Sequence, residues 1–249
     1  MTSSDFHRSS NEQFRPLHIV YDGLNRVDGS ARFGFGNSAA LASVSGPIEV
    51  RLAAEQSSQA TFEVHVRPFS NVPATDSKSQ ATVIRSALTP SLILTKNPRT
   101  LVQLVVQNLS SASTNTERDG LTAAMINAST LALLNAGSLP MRGVVCAVAV
   151  GRTSNGEFLV DPTAEEAKDI TEGGCFSFMF AGSSASTCVW TNWRSTSGGV
   201  KQEHLEPSRP VWAVSRRTMK WKHKDFAFSE PCEVSGADNG THKAPQCAR

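Results

Sequence analysis

Long apolar runs are missing from this 249-residue chain. No stretch approaches eighteen continuous apolar residues, which argues against a helical membrane span. The opening "MTSSDFHRSSNEQFRP" lacks an apolar h-region, so no secretory signal is predicted there. Cysteine is sparse and odd in number, at 146, 175, 188, 232 and 247, with no CxxC pair and no His at ligand spacing. That pattern predicts reduced, intracellular thiols and no zinc site. Strong net charge is also missing: the total is +2, so no overall field demands nucleic acid. The basic excess belongs to residues 200–249, with nine Lys/Arg against six Asp/Glu, while the body is close to neutral.

What is present is a real core. Hydrophobic residues make up 39% of the chain, enough for one sizeable domain or two small ones. Residues 1–15 are polar and read as disordered. Four strand-like runs follow: "PLHIVYD", "SARFGFG", "ALASVSGPIEV" and "TFEVHVRPF". Turn signals separate them, which predicts an antiparallel meander. From Ser77 the period becomes helical, with Val83, Ile84, Ala87, Leu88, Leu92 and Ile93 on one face. Asp76 or Ser77 is the expected N-cap, and Pro90 is expected to kink or split the helix. "TLVQLVVQNL" (100–109) reads as a central strand covered on both faces. A second helix is expected from a cap at Asp119 through Leu121, Met125, Ala128 and Ala132 to a stop at Gly137. "GVVCAVAVG", "GEFLVD", "CFSFMFAG" and "STCVWTNW" complete an α+β pattern. After about residue 198 neither period persists.

"EFLVDPTAEEAKDI" (157–170) concentrates carboxylates at the end of a strand: Asp161, Glu165, Glu166 and Asp169. A metal-assisted enzyme would keep its working groups in such a place. An Asp before Pro-Thr also starts turns, its carboxylate accepting nearby backbone N–H groups. Thr163 and Glu166 have capping-box spacing, so a short helix is expected to begin here.

Three segments together resemble the RNase PH family: "VDGSARFGFGNSAALASVSGPIEV", "DGLTAAMINASTLALLNAGSLPMRGVVCAVAVG" and "LVDPTAEE". Within it, the "DPT" turn is similar to the non-catalytic ring subunits of the eukaryotic exosome, the ribosomal RNA-processing protein 46 type in particular. The resemblance covers roughly residues 17–198. It implies an RNase PH-like domain over 16–198, of two βαβ-containing halves (ribosomal protein S5 domain 2-like). It further implies a six-membered ring with other RNase PH-like subunits, cap and nuclease subunits as partners, and RNA in a central channel. The implied location is the nucleus and nucleolus, with some in the cytoplasm; no membrane partner is expected. A long C-terminal amphipathic helix is also implied, and residues 199–249 do not contain one. That tail is therefore expected to be atypical and poorly ordered, whether a lineage-specific extension or an out-of-frame reading of the gene.

Active relatives use an Arg and a helix N-terminus to hold phosphate, and two aspartates six positions apart for the metal and the leaving oxygen. Here Asp161 matches the first aspartate, and Ala167 stands six positions on. Leu121 falls where the phosphate Arg would be, which removes the charge and all five donors. Arg118 lies three residues earlier. The expectation is a catalytically silent scaffold with Asp161 as a vestige, no metal and no cofactor. The competing reading is a phosphorolytic or metal-dependent ribonuclease, acting as a homo-oligomer through Asp161, Glu165 and Glu166. RNA-contact candidates are Arg67 and Lys78 in the diluted basic loop "RPFSNVPATDSKSQ", together with Arg118. His65 and Cys146 are expected to be structural, "GFG" at 34–36 opens a turn and not a dinucleotide site, and "NAST" (127–130) falls inside a helix.

Overall fold

The computed structural model describes residues 8–21, 23–70, 72–182 and 185–195. The expectations for residues 1–7 and for the 199–249 tail lie outside them. Two sheets enclose one long helix. The first sheet has the order β1-β2-β3-β5-β4: Leu17–Val20, Gly29–Phe35, Ser38–Glu49, Thr100–Asn108 and Thr61–Arg67. β1, β2 and β3 form the expected meander. The fourth run does not continue it, because β5 inserts between β3 and β4 and pairs parallel to β4. A crossover through α1 (Thr75–Leu88) makes β4-α1-β5 a βαβ unit, which a parallel pair requires.

α1 starts after Ala74, earlier than Asp76 or Ser77, and no side chain caps it. It ends at Leu88 and passes into a 3-10 turn, Thr89–Ser91, that contains Pro90. Lacking an N–H, proline ends the α ladder there, which is the split and not the kink of the two expected outcomes. Leu92 and Ile93 therefore leave the helical face, and Leu92 bridges to Met141 instead. β5 buries Val102, Leu104 and Val106, but its alternate residues are only half-buried, so one face is open and not both covered.

α2 (Asn115–Ala136) begins at Thr114, whose side chain and that of Glu117 form a capping box. Asp119 is thus no cap; it lies in the second turn, buried. Gly137, with φ of 61°, closes the helix as expected. Every residue from Asp119 to Leu133 is buried, because the helix packs against β2 and β3 on one side and β6 on the other. Its alanines allow close approach. A Cβ on Gly29 of β2 would stand 2.4 Å from the Ala132 carbonyl.

The second sheet has the order β10-β8-β6-β7, with β9 also on β8: Arg194–Ser195, Ile170–Ala181, Val144–Thr153, Phe158–Val160 and Ala185–Thr191. Its pairings are all antiparallel among the described residues. One core fills the space between the sheets around α2, with Phe33, Ile84, Leu104 and Met125 at its centre. A second cluster, with Val148, Val160, Phe176 and Phe178, lies in the second sheet. Burying each such Phe contributes roughly 1.5–3 kcal/mol.

Candidate functional site

The acidic turn follows β7, and its first carboxylate points inward. Asp161 is fully buried, with φ of 51°, and its N–H donates to the Ala149 carbonyl of β6 at 2.8 Å. Both of its carboxylate oxygens are occupied by Arg15. Nε donates to Oδ2 at 2.9 Å, Nη2 to Oδ1 at 2.6 Å, and the Arg15 backbone N–H to Oδ2 at 3.1 Å. The bidentate fork fits a carboxylate better than any point charge does. Asp161 therefore accepts from the N-terminal arm and not from its own turn.

Arg8 closes the other side of this clasp. It makes two bonds to Glu166, Nε to Oε1 at 2.8 Å and Nη2 to Oε2 at 3.0 Å. It also donates to the carbonyls of Val160, Asp161 and Gln13. Residues 8–15 are thus held against the acidic turn, which corrects the expectation of disorder for that part of 1–15. Polar composition concealed two arginines whose partners lie about 150 positions away. The Thr163–Glu166 box forms as its spacing predicts, and a 3-10 turn follows at Glu166–Lys168. Burial works against ionisation of Glu166. Hydrogen bonds from Arg8 and Thr163, with the Arg8 charge, nonetheless hold its carboxyl below the usual value.

The four carboxylates consequently do not converge. Asp161 faces inward, Glu166 faces Arg8, and Glu165 and Asp169 are exposed. Ala167 offers no side-chain oxygen. Among the described residues no cluster of His, Cys, Asp or Glu could hold a metal ion.

The start of α2 is built differently from a phosphate site. Leu121 belongs to the core, so position 121 is a packing position. Arg118 is exposed on the first turn, with its carbonyl accepting from Thr122 at 2.8 Å. A cation does stand beside this helix start, but it is Arg15: a Cβ on Gly120 would lie 3.2 Å from its Nη2. Asp161 already neutralises that guanidinium. Asp119 accepts from Asn192 at 3.0 Å and from Arg194. Burial raises its carboxyl above the ordinary value, and the Arg194 charge and the two hydrogen bonds offset only part of that. This bridge between α2 and the end of the second sheet has no sequence signal, since the charges are 75 positions apart.

The RNA candidates divide. Arg67 and Lys78 line one cleft of about 610 Å³ between β4 and the start of α1, with His65, Pro73, Ser77 and Gln107. Arg118 is not among its lining residues. His65, expected to be structural, is half-exposed with its Nε2 3.6 Å from the Glu63 carboxylate. Cys146 behaves as packing: burial pushes its thiol up to about 12. Asn127 of "NAST" is buried and clamps β6 through both amide groups, donating to the Ala147 carbonyl at 2.9 Å and accepting from its N–H at 2.7 Å. It is not available as a glycosylation acceptor.

Comparison with known proteins gives the family and the fold. The profile of the 3′ exoribonuclease family (RNase PH), domain 1, matches residues 13–138. The chain is 36% identical over 125 residues to the exosome complex component rrp46 of Schizosaccharomyces pombe, covering 50% of this chain and 53% of that one. It is 33% identical over 149 residues to RRP46 of Saccharomyces cerevisiae, covering 58% and 66%. The match thus spans about half to two thirds of these relatives. In fold it is similar to the crystal structure of rice (Oryza sativa) Rrp46, with a TM-score of 0.68 at 21% identity, covering 88% and 98%. It is also similar to an archaeal exosome core chain, with a TM-score of 0.64 at 19% identity, covering 86% and 87%. The chain belongs to the RNase PH, or 3′ exoribonuclease, family.

Proposed function

We propose that this chain is a catalytically silent subunit of an RNA exosome ring, supporting 3′-to-5′ RNA processing and degradation through subunit interfaces and the channel wall. The observation that carries the silent reading is Asp161, fully buried with both oxygens taken by Arg15. A carboxylate in that state cannot also bind a metal or a leaving group. Ala167 and the absence of a ligand cluster among the described residues support it. Single electrostatic groups contribute roughly 10²–10³ in rate, so losing several leaves little chemistry. The names of the relatives, exosome complex components, support membership of such a complex. RNA would meet Arg67 and Lys78 in their shared cleft, where phosphate also faces the uncapped start of α1. Other RNase PH-like subunits would complete the six-membered ring, with cap and nuclease subunits attached and work divided among nucleus, nucleolus and cytoplasm.

The test is turnover by the purified chain on RNA with inorganic phosphate and Mg²⁺. The proposal expects no nucleoside diphosphate, and co-purification with RNase PH-like partners. Diphosphate release that tracks the mass of this chain alone would establish the competing enzyme reading.

A further inference from the structure

Ser77 lacks a hydrogen-bond partner where burial makes one most needed. It is only 6% exposed, on the face of α1 that carries Ile84, Ala87 and Leu88 into the core. A buried hydroxyl left unpaired costs free energy. Hydroxyl side chains inside helices commonly donate to the carbonyl four residues back, as Thr82, Ser129 and Thr130 do here. Ser77 has no such bond among the described residues, and it lines the cleft shared by Arg67 and Lys78. Backbone donors are free beside it. The first intrahelical bond of α1 runs from the Lys78 N–H to the Ala74 carbonyl at 3.2 Å, so the N–H groups of Thr75, Asp76 and Ser77 precede the ladder. Ala74, in the cap position, has no side-chain oxygen to offer them.

We infer that the start of α1 seats the phosphate group of a nucleotide, with the Ser77 hydroxyl and the free N–H groups of the first turn donating to its oxygens. This rests on the reading of the cleft above as an RNA path, and adds to it a donor set and a ligand class. The position is the carboxyl end of the parallel pair β4 and β5, where Arg67 and Gln107 are register partners. A helix that starts there presents donors and a positive dipole end to an anion. Gln107 Nε2 donates to the Pro68 carbonyl at 3.2 Å and ties down the exit of β4. Charge agrees with the donors: Arg67, Lys78 and His65 line the cleft, and no carboxylate does among the described residues. Glu63 faces His65 from outside it, and Asp76 is exposed on the same turn without lining it. A volume of about 610 Å³ has room for a nucleotide and far exceeds a bare ion. The donors named here recognise phosphate, so the seat is indifferent to base and sugar. The phosphate comes either from an RNA backbone or from a free nucleotide.

Backbone amide resonances of the full, isotope-labelled chain are followed during titration with inorganic phosphate, uridine monophosphate and a short oligouridylate. The amides of Thr75, Asp76, Ser77 and Lys78 should shift and saturate with the monophosphate, a readout that needs no variant to fold. Ser77→Ala should weaken this binding about tenfold, the loss of one hydrogen bond to a charged group. Ser77→Thr keeps the hydroxyl and should bind like the wild type; unshifted amides elsewhere report that each variant is folded. Tighter binding of the oligouridylate at the same amides assigns the seat to the RNA backbone, and equal or tighter binding of the monophosphate assigns it to a free nucleotide. Amides of the first turn that respond to none of the three, or a Ser77→Ala chain that binds as the wild type does, overturn the inference. RNA binding by the assembled ring that depends on Arg67 and Lys78 but not on Ser77 also overturns it, while the RNA reading of the cleft stands. Monophosphate binding at Ser77 with no response to RNA keeps the seat and removes that reading.

Discussion

Asp161 and Arg15 form a buried, two-pronged ion pair with side-chain exposures of 0 and 12%. Removing one partner strands the other charge away from water. Asp161→Ala should therefore cost about 3–5 kcal/mol of stability, read from urea denaturation midpoints; a near-neutral change would contradict the clasp. Glu166 gives a pH signature. Its folded carboxyl lies below the ordinary value of 4.5, so its contribution is full above that value and is lost as pH falls through the lower folded one. Glu166→Gln should accordingly destabilise the protein at pH 6, with the gap to wild type narrowing toward pH 3. A gap that stays constant would show that Arg8 does not recognise the charge.

At the scale of elements, α2 decides the architecture because both sheets are built against it. Its closest approach is to β2, where Gly29 leaves no room for a methyl group beside the Ala132 carbonyl and the Ala136 nitrogen. These are backbone atoms that no rotamer change can move. Gly29→Ala should push β2 from the helix and cost about 1–3 kcal/mol, measured by thermal or denaturant unfolding; a stability equal to wild type would mean that the sheet slides freely. The ends of α2 were only partly legible. Gly137 and the small-residue stripe marked its C-terminus and its packing. Asp119 misled as a cap because an acidic residue in the second turn looks the same in sequence whether it faces water or a distant arginine. Its true partners, Asn192 and Arg194, are set by the pairing of β8 with β9 and β10.

For the whole molecule, the weak net charge of +2 means that, on the proposed ring reading, RNA affinity would be a property of local groups within the assembly. Arg67→Ala and Lys78→Ala, introduced singly into the assembled ring, should each weaken RNA binding almost uniformly across sequences. Each should also reduce the slope of log affinity against log salt by about 1. Salt titrations of binding check this, and unchanged slopes would remove the cleft from the RNA path. Sequence brought Arg67 and Lys78 together because the loop between β4 and α1 is short. Arg118, the third candidate, reaches the surface on α2 and does not line this cleft.

The local pattern by itself determined the strands, the stop at Pro90 and Gly137, the Thr163–Glu166 box and the family. Each depends on residues within a few positions of one another, where period, turn chemistry and capping act directly. Tertiary structure alone decided that β5 enters between β3 and β4, that residues 8–15 are part of the body, and that Asp161 is a clasped anchor. Those outcomes rest on hydrogen bonds between groups as much as 158 positions apart. A carboxylate's chemistry is set by what stands beside it, and only the folded chain brings Arg15 there.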